Sequence, residues 1–155
     1  MEPSAFDELA FFRALDDSAA RALLIGRRAL VLLGLPVLTA VYDFWIAIDD
    51  IEAFNGVGAR FGLHPTRTPD EARRSGRYAV ENDEHVDVLV ARSVPTVDGE
   101  AVEFETLWDR RTVVQVDGSR VCLPCLDDLI LTKRIGARPK DLEDIRLLRI
   151  LRDAR

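Results

Sequence analysis

Residues 23–48 read LLIGRRALVLLGLPVLTAVYDFWIAI, and the fold turns on how this stretch is parsed. Residues 21–25 form a short apolar run that stops at Gly26. Two arginines, Arg27 and Arg28, then open a helical segment that ends in the turn Gly34-Leu35-Pro36. A second apolar run follows and carries one carboxylate, Asp43, among Tyr42, Phe44 and Trp45. Alternate residues of a strand share a face, which sets Thr39, Val41, Asp43 and Trp45 against Tyr42, Phe44, Ile46 and Ile48. Taking a lone carboxylate out of water costs several kcal/mol or leaves it protonated, so Asp43 calls for a cation.

Gly26 marks a strand turning into a helix. Free backbone N–H groups at such a start, beside a residue with no Cβ, can bind phosphate, although one glycine is more often only a turn. Arg27 and Arg28 can add charge to a triphosphate, or Arg27 can fill the space that phosphates need.

Working outward, the chain is 155 residues long, 48% hydrophobic and 31% charged, which fits one globular domain with a sizeable core over 1–155. A formal net charge of −6 argues against general nucleic-acid binding but leaves room for a local basic pocket. Two cysteines, no bilayer-length apolar stretch and no basic-then-apolar leader lead us to expect a cytoplasmic protein.

Helical spacing of Phe6, Leu9, Ala10, Phe12 and Leu15 predicts a first helix, capped by Ser4, with Asp7 and Glu8 suiting its positive end. A helix capped by Asp49 or Asp50 should bury Ile51, Phe54, Val57 and Phe61. Thr68-Pro69-Asp70-Glu71 starts another. The neighbouring Arg67, Arg73, Arg74 and Arg77 make either a solvated face or an electropositive rim. Residues 77–82 and 84–91 read as a hairpin, with Val86, Val88 and Val90 on one face and Asp87 and Leu89 on the other. Asp87 by itself is a surface acid; beside Asp43 it could share an ion.

Residues 93–100 read as a loop and 102–111 as a helix around Phe104, Leu107 and Trp108. A strand pair over 112–116 and 121–123 turns at Asp117-Gly118. Cys122 and Cys125 have redox or zinc spacing, but the position late in the chain favours small residues at a strand end. A helical hairpin, 126–135 and 139–152, closes the chain. Leu142, Ile145, Leu148 and Leu151 form the expected inner stripe of its second helix, with Lys140 and Asp144 paired one turn apart.

The strand, Gly26, the helix with Arg28-Ala29, the Gly-Leu-Pro turn and Thr39-Ala-Val-Tyr-Asp43 together resemble the minimal nucleotidyltransferases of the polymerase-beta type. The likeness is narrowest to short bacterial proteins of the AbiEii and MNT groups. Those proteins carry a Thr-x-Asp-hydrophobic-Asp strand and a third Asp on a later strand. Aligned on Thr39, Asp43 matches the second acid and Asp87 the third, while Val41 stands where the first would be. The ending also matches, through Asp128-Leu129-Ile130, Lys133, Arg138, Lys140-Asp141 and Asp144-Ile145.

The resemblance implies an α/β (α+β) fold, a mixed sheet flanked by helices with a C-terminal helical hairpin. It implies transfer of a nucleoside monophosphate from a nucleoside triphosphate to a protein or RNA hydroxyl. Asp43 and Asp87 would be the catalytic metal ligands for Mg²⁺, one ion rather than two because of Val41. Gly26, Arg27, Arg28, Thr39 and Lys133 would bind the nucleotide; an ordinary helix would leave Lys133 exposed. Toxin–antitoxin and phage-defence pairs, with a protein or tRNA partner, are the settings it suggests. The other reading is an inactive relative that binds a nucleotide or a partner protein.

Overall fold

The computed structural model describes residues 6–155. Its centre is a five-stranded mixed sheet in the order β1-β2-β5-β4-β3. The strands are β1 (Ala22–Ile25), β2 (Tyr42–Ile46), β3 (His64–Pro65), β4 (Arg77–Glu81) and β5 (His85–Leu89). β2 and β5 run parallel; every other neighbouring pair is antiparallel. Helices α1 (Glu8–Asp17), α2 (Gly26–Leu32), α3 (Ile51–Ala59) and α4 (Pro69–Ser75) precede or link these strands. Two hairpins follow, β6 (Ser93–Pro95) with β7 (Ala101–Glu103) and β8 (Thr112–Val116) with β9 (Ser119–Leu123). Helix α5 (Phe104–Asp109) lies between them, and α6 (Leu126–Lys133) and α7 (Pro139–Asp153) form the C-terminal pair. The mixed sheet flanked by helices is the expected architecture.

Alternation along β2 divides the core as the sequence predicts. Tyr42, Phe44 and Ile46 join a large cluster with Phe11, Phe12, Leu24, Ile51 and Phe54. Trp45 faces the other way, into a smaller cluster with Leu23, Val102, Phe104 and Leu107. Its indole N–H, 2.9 Å from the Ala91 carbonyl, donates the one hydrogen bond that a buried Trp must satisfy. Asp43 lies on this same face, two residues before Trp45, where the sheet borders a cavity.

Several local expectations change. Ser4 lies outside the described residues; Asp7 caps α1, its Oδ1 accepting from the Ala10 N–H at 3.0 Å. Asp50 stands at the start of α3 without capping it, because its carboxylate accepts from the Arg21 backbone N–H at 3.0 Å instead. β2 begins at Tyr42, so Thr39 belongs to the preceding loop rather than to the strand. Residues 93–103 are a short hairpin rather than a loop running into a helix, and α5 begins only at Phe104. The helix start predicted at Thr68 is present and forms a capping box, with Glu71 Oε1 accepting from the Thr68 N–H at 3.0 Å.

Helix α7 departs furthest. Leu142 is 58% exposed, while Asp141, Asp144, Ile145 and Leu148 are buried. Assigning the inner stripe by apolarity alone misplaces it, because Asp141 and Asp144 have cations waiting inside. No helix among the described residues is long and apolar enough to cross a membrane.

Candidate active site

A cavity of about 840 Å³ opens over the uncovered part of the sheet, lined by residues from β1, β2, β4, β5, the loop before β2 and the α6–α7 turn. At its floor, parallel register sets Asp43 directly beside Asp87. Register partners on adjacent strands share a face about 5 Å apart, so the two acids arrive together. Burial pushes the Asp43 carboxyl above its ordinary value, and the neighbouring Asp87 charge pushes it further. Lys133, Lys140 and Arg138 pull the other way. Among the described residues none forms a hydrogen bond or ion pair with the Asp43 side chain, and no three His, Cys, Asp or Glu are grouped to hold a metal.

Gly26 is where β1 becomes α2. Its φ is +72°, a conformation that L side chains rarely adopt. A Cβ built there would fall 2.4 Å from Asp43 Oδ2. The glycine therefore lets the main chain lie against the acid, which is a firmer reason for it than a turn.

Arg27, Thr39 and Lys133 also line the cavity. Arg27 is held to one side by Asp144, with Nε 3.2 Å and Nη2 3.1 Å from its oxygens. The same carboxylate holds Lys133 Nζ at 2.8 Å, and Asp141 Oδ1 lies 3.8 Å from that ammonium. Lys133 is buried rather than a free helical charge, and Asp144 pairs with it and Arg27 instead of with Lys140. Arg28 does not line the cavity. Its guanidinium packs 4.7 Å from the centre of the Tyr42 ring and 3.6 Å from Glu8, which anchors α2 to the far side of the sheet.

Val41 lines the cavity and is 38% exposed, so the place two residues before Asp43 holds an alkyl group where a carboxylate could stand. Two of the four neighbouring arginines, Arg67 and Arg77, also line the cavity. Arg73 is engaged with Glu52 and Asp70. Cys122 and Cys125 are free, half-buried thiols, and burial pushes both up.

Two further residues, Glu81 and His85, meet Asp87 on the cavity side of the sheet. His85 bridges Glu81 and Asp87, with Nδ1 2.8 Å from Glu81 Oε2 and Nε2 2.8 Å from Asp87 Oδ1. The bond to Asp87 raises the imidazole pKa; partial burial opposes this, and Glu81 adds to the rise. Only the spacing of His85 to Asp87, two apart on a strand, could have signalled the contact.

No protein-family profile matches the chain, and no curated protein matches it in sequence. Solved structures do. One is a Thermotoga maritima protein provisionally assigned as a nucleotidyltransferase, with a TM-score of 0.59 at 14% identity over 94% of this chain and 89% of that one. Another is the antibiotic-resistance factor ANT(2″)-Ia, with a TM-score of 0.62 at 14% identity over 90% of this chain and 79% of that one. These likenesses extend over nearly the whole chain, and this chain has the nucleotidyltransferase fold.

Proposed function

We propose that the protein binds a nucleoside triphosphate with one Mg²⁺ and transfers its nucleoside monophosphate to a hydroxyl of a protein or RNA. The observation that carries this reading is the register pair Asp43–Asp87 on the floor of a cavity rimmed by cations. Two adjacent carboxylates, one of them without a protein partner, fit a hard divalent cation that keeps several waters of its own. Asp43 and Asp87 would hold the ion, and its charge would offset that of the phosphates and of the attacking oxygen.

The remaining work falls to this chain. The Gly26 backbone and the Arg27 and Lys133 side chains face a triphosphate, with Thr39 beside them. Asp144 keeps the two cations in place, so Arg27 stands at the wall of the phosphate space rather than in it. In the transfer, the acceptor oxygen forms a bond to the α-phosphorus, the bond to pyrophosphate breaks, and the acceptor proton is released. Lys133 and Arg27 stabilise the charge that builds on the phosphate oxygens.

Val41 favours a second reading, nucleotide binding without turnover. An alkyl group where a third acid could stand leaves a single-ion site, and each tenfold loss of rate is about 1.4 kcal/mol of barrier.

The two readings separate on incubation with Mg²⁺, cellular RNA and protein, and each nucleotide labelled at its α-phosphate. Label transfer by the wild type that Asp43→Ala abolishes supports the enzyme. Transfer only by Val41→Asp supports the binding reading. Absence of Mg²⁺-dependent nucleotide binding in both proteins would overturn the two together.

A further inference from the structure

Glu81, His85 and Asp87 form a chain along the cavity side of the sheet. Glu81 and His85 are register partners across β4 and β5, and His85 and Asp87 are two apart on β5, so all three share the face that carries Asp43. One imidazole nitrogen lies 2.8 Å from Asp87 and the other 2.8 Å from Glu81, and which of them donates follows from where the ring carries its proton. The ring thus holds one oxygen of Asp87, and Glu81 holds the ring.

The parallel register adds a second point. Tyr42 is level with Val86, and one residue earlier on the two chains stand Val41 and His85. His85 is therefore the polar neighbour of the position where Val41 offers no ligand. Asp87 is about half exposed, its side chain at 53%, and without a third acid nothing else in the described residues is bonded to its carboxylate. Such a side chain would sample several rotamers, and a cation shared with Asp43 would have to order it.

We infer that His85 is a positioning residue: braced by Glu81, it fixes Asp87 so that the carboxylate's other oxygen is available to a cation shared with Asp43. The inference rests on the reading of Asp43 and Asp87 as metal ligands. Partners that orient a metal-binding side chain typically change metal affinity by about 10–100-fold when removed. Removal of a donor beside two acids could instead have the opposite sign, since less competition for Asp87 would tighten binding. Measurement therefore discriminates.

The test is Mn²⁺ binding to the full chain, followed by electron paramagnetic resonance and calorimetry, with no nucleotide or turnover required. His85→Ala should weaken Mn²⁺ binding by about 10-fold or more. His85→Gln should restore it to within a few-fold of wild type, because the carboxamide nitrogen reaches the place of Nε2. Glu81→Gln should give a smaller loss. Equal thermal unfolding of the metal-free proteins, with rescue by His85→Gln, separates positioning from damage to the fold. Unchanged or tighter binding in His85→Ala, or no rescue by His85→Gln, overturns the role of His85. If the wild type takes up no Mn²⁺, or Asp87→Asn binds as the wild type does, the paired-acid reading itself fails, and the inference with it.

Discussion

Asp43 and Gly26 are best considered together, since each explains the other. The acid can lie close to the helix start only because residue 26 has no Cβ and adopts a positive φ. Gly26→Ala should destabilise the protein by about 2 kcal/mol, from the left-handed backbone penalty and the clash, as read by urea unfolding. It should also weaken divalent-ion binding, because the Asp43 carboxylate must move. Asp43 has its own pH signature. Its folded pKa is raised by burial and by Asp87, so the folded state holds the proton more tightly than the unfolded chain. Stability from this group is then greatest at acid pH and falls as pH climbs from the ordinary carboxylate value, about 3.9, through the raised one. Asp43→Asn should therefore unfold at a higher temperature than wild type at neutral pH, with the gap closing in acid. Saturating Mg²⁺ should narrow the gap at neutral pH by stabilising only the wild type. A gap that widened in acid would contradict the assignment. At this scale the sequence was informative where chemistry was out of place, as with one acid among aromatics. It did not join Glu81 and His85 to Asp87, because that contact depends on strand register and side-chain direction.

Among the elements, the α6–α7 pair shows why periodicity alone misleads. Apolarity points Leu142 inward; ion pairing turns Asp141 and Asp144 inward instead, towards Lys133 and Arg27. Lys133 on α6 and Arg27 on α2 meet at one fully buried carboxylate, so three helices are tied at a single point beside the cavity. Removing one partner of a buried pair strands the other charge, at a cost of about 3–5 kcal/mol. Asp144→Ala should lose stability on that order and should also weaken nucleotide binding, since Arg27 and Lys133 lose their anchor. The double variant Lys133→Met with Asp144→Leu should recover part of the stability, because an apolar pair of similar volume replaces that ion pair at little cost while the partly exposed Arg27 can turn to solvent. Nucleotide affinity should stay low in that variant. Recovery of both would mean that Lys133 serves only the fold. The short hairpin over residues 93–103 escaped the sequence reading for a related reason: its strands are three residues each, too short for alternation to register.

For the molecule as a whole, the net charge of −6 and the cation-rimmed cavity act in opposition. Under the proposed function, the acidic body would repel a triphosphate at a distance, and Arg27, Lys133, Arg138 and Lys140 would attract it once it reached the mouth. Magnesium would change this balance, because it would lower the charge of the incoming nucleotide and meet Asp43 and Asp87 at the floor. Nucleotide and Mg²⁺ should therefore stabilise the protein together far more than either does alone. At a ligand concentration one hundred times Kd the gain is about 2.7 kcal/mol, and for a chain of this size each kcal/mol raises Tm by about 2–4 °C. A combined shift of about 5–10 °C in thermal unfolding is the expected result. Asp43→Ala should remove the Mg²⁺-dependent part and leave a small nucleotide-only shift, while added salt should reduce what remains by screening the exposed rim cations. Val41→Asp should enlarge the Mg²⁺-dependent part, since a third carboxylate two residues before Asp43 adds an oxygen ligand to the same floor. If the shift were equal with and without Mg²⁺, the nucleotide would be held by the cations alone and the paired acids would have another use.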